Sequence, residues 1–386
     1  HQLLKNGDGL MGDPSSTDNT VIVPAPGNDS IYYVFTVGAA YKQNKGLRYN
    51  IVNMNGDEGY GEVTQKNIML EPDALEKVAA IYHCSNKEVW VITHKWNSDK
   101  YLAYLVSFNG VNNVPVVSNG ILLINDDENN AVGTLKFSAD GKMLAAVHSY
   151  KNSKIELFNF DNITGTLTNP ILINPEPAGT LVTFMGVYSA EFSPNKQFLY
   201  VSDNPTFDDP AKLYQFDISS GNAAIINAGR QLIATINFGL GGSLQLAPDN
   251  KIYMSVLGDS AISVIDKPNI YGQGCSFMQS KILVSTINNP QVQLGLPRFI
   301  QNTFNPAAGP YSFSHAGNCA DKMIVFKLNR TNGIDSVKWD FGDGQKSVSL
   351  TPSHLYNDTG HYQVSLIVFK TDCSGLNDTI YSTLWI

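Results

Sequence analysis

The sequence predicts an all-β chain, a β-propeller followed by a small β-sandwich, and three observations carry that expectation. The stretch 135–161, LKFSADGKMLAAVHSYKNSKIELFNFD, reads as three alternating strands joined by a tight Asp140-Gly141 turn and a polar loop. Echoes of it place a turn residue at Asn28, Asn86, Asp140, Asn195 and Asp249, in steps of 58, 54, 55 and 54 residues. A period of that length built only of strands is the pattern of propeller blades with roomy loops. Beyond residue 304 the period stops, and short strands with turns every ten residues or so take over, a spacing that suits an Ig-like sandwich.

In chain order, residues 1–12 contain a strand-like start and a Gly-rich turn. The first blade runs from Val21 to Met54, with Pro24 and Pro26 interrupting its opening strand. Blades around Trp90, Leu144, Phe192 and Leu246 follow, each trailed by a connector and an outer strand. One further step lands in LGLPRFIQNTF (294–304), which has no strands after it. Closed rings remove exposed strand edges, so the ring is expected to be completed by strands encoded upstream of His1. That gives six or seven blades in the intact protein, five of them full here. The domain expectation is a propeller over 1–305, a Pro/Gly/Ala linker over 306–320, and the sandwich over 321–386.

Composition narrows the partners. The chain of 386 residues carries 26 Lys+Arg against 34 Asp+Glu, a net charge of −8, with no basic run. Phosphate binding needs clustered cations, so nucleic acid is excluded as an expected partner. Apolar runs are strand-length, and no membrane span is expected. The four cysteines, Cys84, Cys275, Cys319 and Cys373, lack CxxC spacing. Cys319 and Cys373 are the disulfide candidates of the sandwich, with two buried thiols as the alternative.

The C-terminal motifs WDFGDG (339–344), PSHLY (352–356) and GHYQV (360–364) closely resemble the polycystic kidney disease (PKD) domain. Trp339 is expected in the core, Asp340 and Asp343 on turn amides, Gly342 and Gly344 at positive φ, and Tyr362 as a tyrosine corner. The segments 15–37, 46–63, 88–106 and 294–304 resemble secreted propeller-plus-PKD proteins of Bacteroidota. That resemblance implies export across the outer membrane by type IX secretion, display at the cell surface or release, and an outer-membrane or secretion-system partner.

Candidate chemistry lies in the loops between the second and third strands of each blade. Four of the five carry an aromatic, Tyr41, Trp96, Tyr150 and Phe207, and Lys42, Lys95 and Lys151 stand beside three of them. Aromatic rings with polar neighbours suit stacking on sugars or capture of extended peptide; packing on the adjacent blade is the alternative. His83, His94 and His148, with Glu88, Glu191, Asp203 and Asp208, are the only material for acid/base work, and no nucleophile-elbow, zincin or phosphate-loop motif is present. No catalytic residue is therefore assigned. No cofactor is expected apart from possible Ca²⁺ at the oxygen-rich loops holding Asp126, Asp127, Asp208 and Asp209, none in EF-hand register. The functional expectation is a non-enzymatic surface or secreted binding and adhesion protein for a glycan or protein. The rivals are an extracellular polysaccharide lyase or hydrolase with an accessory PKD domain, and a structural component of a surface assembly.

Overall fold

The computed structural model describes residues 3–39, 46–85, 87–124, 131–149, 153–175, 186–204, 206, 209–236, 239–284, 291–301, 311–317, 323–331, 333–370 and 377–386. Two compact units divide the chain, 1–83 with 87–304 and 84–86 with 305–386.

The first unit is five antiparallel sheets in series. Sheet I contains β1 (Thr20–Ala25), β2 (Asn28–Val37), β3 (Leu47–Asn53) and β4 (Glu62–Glu71). Sheet II has β5 (Ala79–Tyr82), β6 (Val89–His94), β7 (Ser98–Ser107), β8 (Gly110–Val111) and β9 (Val116–Ile124), with both β8 and β9 on β7. Sheet III is β10 (Leu135–Phe137), β11 (Met143–His148), β12 (Lys154–Asp161) and β13 (Thr166–Ile173). Sheet IV is β14 (Gly186–Phe192), β15 (Phe198–Asn204), β16 (Ala211–Asp217) and β17 (Gln231–Ile236), with the short helix α1 (Ala223–Ala228) before its last strand. Sheet V is β18 (Gly241–Leu246), β19 (Ile252–Val256), β20 (Ala261–Ile265) and β21 (Phe277–Leu283).

The expected turn residues Asp140, Asn195 and Asp249 lie between the first two strands of sheets III, IV and V, and their chemistry repeats, whereas Asn86 lies outside the described residues. Asp140 Oδ1 accepts from the Lys142 amide, Asn195 Oδ1 from Gln197 and Asp249 Oδ1 from Lys251. The residue after each acceptor, or one later, sits at positive φ: Gly141, Lys196 and Asn250. A side chain that bonds the backbone two residues on is a turn built into the sequence.

Sheets II, III and IV each bury both faces, one against the sheet before and one against the sheet after. In β6, Val89 and Val91 join sheet I in one apolar cluster, while Trp90 and Ile92 join sheet III in another. In β11, Leu144 and Ala146 pack toward sheet II, Ala145 and Val147 toward sheet IV. In β15, Leu199 and Val201 face sheet III, Phe198 and Tyr200 sheet V. Inner strands therefore read as nearly unbroken apolar runs, because neither face meets water. Outer strands such as β13 and β21 are half exposed.

Residues 3–12 add no strand to another sheet. They lie along sheet I, where Lys5 bridges Glu62 and the Met11 amide donates to Asn67 Oδ1. At the other end, 291–301 is a connecting segment. Its Leu294 carbonyl accepts from the Ser243 amide of sheet V, and the Gln301 amide donates to Ala80 O of sheet II.

The second unit pairs β22 (Phe313–Ala316), β23 (Met323–Leu328) and β26 (Ser353–Leu355) in one sheet. The other sheet holds β25 (Lys346–Ser347), β24 (Ile334–Asp340), β27 (His361–Lys370) and β28 (Asn377–Trp385). Trp339 is the buried centre, ringed by Phe313, Phe326 and Phe341. Asp340 and Asp343 accept from the Gly342 and Gln345 amides, Gly342 and Gly344 hold φ of 84° and 92°, and the Tyr362 hydroxyl donates to Asp358 O. These four expectations hold. One boundary is corrected: Phe313–Ala316, read as linker, is a strand of the sandwich. Phe313 packs on Trp339, and that burial gives a Pro/Gly-flanked stretch its extended form.

Candidate functional site

Two strand ends bring the unit's unusual chemistry together. His94 closes β6 and His148 closes β11, 54 residues apart and in equivalent places in sheets II and III. Tyr101 on β7 and Glu156 on β12 are likewise one repeat apart. The Tyr101 hydroxyl donates to Glu156 Oε2 at 2.7 Å and lies 3.2 Å from His148 Nε2, which is itself 3.1 Å from Glu156 Oε2. Glu156 Oε1 accepts from the Ile121 and Leu122 amides. The His94 ring stands edge-on to Tyr101 at 4.4 Å and to His148 at 5.4 Å.

His94 Nδ1 is 2.8 Å from the Lys95 carbonyl. A carbonyl only accepts, so Nδ1 carries the proton and Nε2 presents its lone pair. That Nε2 is buried without a hydrogen-bond partner, as is His148 Nδ1. One nitrogen from each histidine and a Glu156 oxygen all lie within 4.8 Å of one another.

The cluster is dry. His94 and Glu156 are 0% and His148 2% exposed. Burial drives His94 well below its usual range, helped by His148 and Lys77, and drives His148 down to about 4, helped by Lys77 and opposed by Glu156. Burial raises the Tyr101 hydroxyl well above its ordinary value, with the Glu156 charge adding to it. Burial also raises Glu156, yet hydrogen bonds from His148, Ile121 and Tyr101 outweigh it and hold the carboxyl low. Both rings are neutral near pH 7. Lys77, fully buried with its ammonium on Val132 O, is pushed by burial down to about 7 against the pull of Glu76 and Glu156.

A second sealed group lies on the first strands. Lys136, Glu191 and Gln245 stand one repeat apart on β10, β14 and β18. Lys136 Nζ reaches Glu191 Oε2 at 3.1 Å and Gln245 Oε1 at 2.8 Å, and Gln301 Nε2 approaches Glu191 at 3.3 Å. Paired charges sealed this way tie three sheets together. Asp203, 1% exposed, accepts from the Asn204 amide, and its Oδ1 has no partner.

Most of the loop residues singled out from the sequence, Tyr41, Lys42, Tyr150, Lys151, Phe207, Asp126, Asp127 and Asp208, lie outside the described residues, as does the Cys319–Cys373 pair. Trp96 is half-buried against Leu75 and Ala131. Lys95 pairs with Glu71 at 3.2 Å. Asp209 accepts from Thr206 Oγ1 in a local turn. His83 and Glu88 stay together at the β5–β6 hairpin, 3.8 Å apart, away from His94 as expected. Cys275 is a buried free thiol and Cys84 is disulfide-bonded, a bond that the sequence reading did not include. Glu156 and Tyr101 were missed too. They stand one 55-residue repeat apart on β7 and β12, a spacing that does not by itself pair them with the two histidines.

An open feature lies where the β16–β17 and β20–β21 connections meet. A groove of about 310 Å³ is lined by Asp217, Ser219, Ser220, Ile225, Gly229 and Tyr271. Tyr271 is 49% and Ile225 60% exposed. The Tyr271 ring leans on Phe198 at 5.9 Å, which fixes its plane. Asp217 is held by the Ser219 amide and hydroxyl and by Gln197 Nε2, and Asn222 caps α1 by accepting from Ala224 and Ile225.

Comparison with known proteins matches the PKD domain family model over residues 306–384, so the second unit is a PKD domain. The chain is 49% identical over 73 residues to a microbial collagenase of Vibrio alginolyticus and 50% identical over 42 residues to collagenase ColA of Clostridium perfringens (strain 13 / Type A). These matches cover 18% and 11% of this chain and 9% and 4% of the collagenases, and they fall in the PKD region. The PKD1 domain of Vibrio anguillarum Epp is 26% identical, covering 20% of this chain and 90% of that one, with a TM-score of 0.18. The periplasmic gluconolactonase PpgL of Pseudomonas aeruginosa is 12% identical, covering 92% of this chain and 97% of that one, with a TM-score of 0.42.

Proposed function

We propose that this protein is an exported, non-enzymatic binding protein whose first unit is a β-propeller that recognises a glycan or protein, with the PKD domain as spacer or adhesion module. One observation carries the reading. Among the described residues, the His94–His148–Glu156 and Lys136–Glu191 clusters are sealed from solvent, while the open groove presents a half-exposed aromatic, an isoleucine, hydroxyls and the Asp217 carboxylate, which is itself engaged by Ser219 and Gln197. Catalysis requires an acid or base within hydrogen-bond reach of the substrate; recognition requires a fixed ring and a few polar groups. The aromatic loops with Tyr41, Tyr150 and Phe207 belong to the same proposal as further contacts.

The propeller reading is supported by five sheets of one strand order, each sharing an apolar face with the next. It is supported also by the unit's last segment meeting its first, where Arg298 pairs with buried Asp18 and Ile300 joins the core of sheets I and II. Export is supported by the disulfide at Cys84, since such bonds persist in oxidising compartments. No helix among the described residues is long and apolar enough to cross a membrane.

The test is to present the full chain to a panel of polysaccharides and extracellular-matrix proteins, measuring retention and product release in parallel. Retention of an intact ligand is expected. Release of shortened or unsaturated products would replace this reading with the polysaccharide-degrading one, and retention of no ligand together with co-purification of an outer-membrane partner would replace it with the structural one.

A further inference from the structure

We propose that His94 Nε2, His148 Nε2 and Glu156 Oε2 bind one divalent transition-metal ion of the zinc class, which clamps sheet II to sheet III. The donor set is two imidazoles and a carboxylate, a combination suited to zinc and its neighbours and unlike the all-oxygen shells of calcium.

The geometry is close to what such an ion needs. Metal–ligand bonds of about 2.1 Å in a tetrahedron put ligand atoms about 3.4 Å apart. His148 Nε2 and Glu156 Oε2 are 3.1 Å apart, and one nitrogen of each histidine and a Glu156 oxygen fall within 4.8 Å of one another. The tyrosine hydroxyl of Tyr101, within hydrogen-bond distance of both His148 and Glu156, stands where a fourth group would be.

The orientation of His94 is the second, independent observation. Its Nδ1–H is fixed on the Lys95 carbonyl, as metal-bound histidines are held by a second partner. The opposite nitrogen is aimed into the cluster, fully buried and unpartnered. A buried lone pair with no donor is costly in a network meant only for hydrogen bonding. A metal ion accepts that lone pair and replaces the His148–Glu156 hydrogen bond with two coordination bonds, the His148 proton moving from Nε2 to Nδ1. The Glu156 second oxygen keeps the Ile121 and Leu122 amides. Lys77, the nearest buried cation, has a neighbouring buried carboxylate of its own in Glu76, so Glu156 remains available to the ion.

A closed site of this kind is structural, and the inference is independent of what the groove binds. The full chain without an affinity tag would be unfolded with chelator, refolded with excess Co²⁺ or Zn²⁺ and dialysed. Expected are about one equivalent of metal per chain by elemental analysis, visible Co²⁺ bands of four-coordinate intensity, and a higher melting temperature than the chelated protein. His94→Ala and Glu156→Gln should lose the metal and the bands, while exposed His315→Ala keeps both. Should the cluster variants fail to fold, the unsubstituted chain still decides. Less than about a tenth of an equivalent, weak six-coordinate bands, or an unchanged melting temperature overturns the proposal, as does metal retained by folded His94→Ala.

Discussion

Asp203→Asn offers a magnitude that can be worked from position alone. Asp203 is the penultimate residue of the second strand of sheet IV, 1% exposed, and its Oδ1 lacks a partner. Burial lifts its carboxyl from the ordinary 3.8 to about 6, against the opposing pull of Lys212, Arg230 and the Asn204 amide. A raised carboxyl pKa means that the fold prefers the protonated form. The ionised group therefore opposes folding, fully above pH 6, less as pH falls toward 3.8, and not at all below. A shift of about two units at 1.36 kcal/mol each gives a cost on the order of 3 kcal/mol at neutral pH. Asn keeps the shape and carries no charge. The variant should gain about 1–3 kcal/mol at pH 7.5, the gain shrinking toward zero at pH 4. Urea unfolding at pH 4, 5, 6 and 7.5, followed by tryptophan fluorescence, measures it. A gain that is constant with pH, or a loss at pH 7.5, would refute the reasoning.

Two further substitutions probe the sealed clusters. Tyr101→Phe removes the hydroxyl donated to Glu156 and should cost about 1.5–3 kcal/mol in chemical unfolding, the range for a hydrogen bond to a charged group; a cost below about 0.5 kcal/mol would mean that His148 and the two amides satisfy Glu156 without it. Lys136→Met strands Glu191 in the interior and should cost about 3–5 kcal/mol, whereas Lys136→Met with Glu191→Leu should recover most of that. A double variant no more stable than the single would show that the pair acts through Gln245 and Gln301 more than through its own charges.

How much of this was legible in the sequence depends on which side chains face water. The turns at Asp140, Asn195 and Asp249 announce themselves because their chemistry is local: one carboxylate or amide bonds the backbone two residues on. The PKD motifs were readable for the same reason, each naming a core ring or a turn. The inner strands gave only apolar runs, since alternate residues of β6 or β11 face two different sheets, both dry.

The clusters were harder to see. His94 and Glu156 are far apart in sequence and meet only because one sheet packs on the next, a fact of tertiary register. The groove at Tyr271 lies between the outer connections of sheets IV and V, which carry no repeat signal, whereas the recurrent aromatics lie in loops at the other strand ends. Strand β22 was hidden because Pro and Gly flank it, and only Phe313 packing on Trp339 reveals its extended form.

Binding at the groove is the claim that most needs a direct measurement. The full chain and its Tyr271→Ala variant, matched in circular dichroism, would be titrated with whichever panel ligand is retained, and the dissociation constants compared. Truncating an aromatic that carries binding at an interface costs more than about 1 kcal/mol, so the variant should bind at least about fivefold more weakly, with the ligand recovered intact. Equal affinity in the two proteins, or a ligand converted to product, would contradict the account.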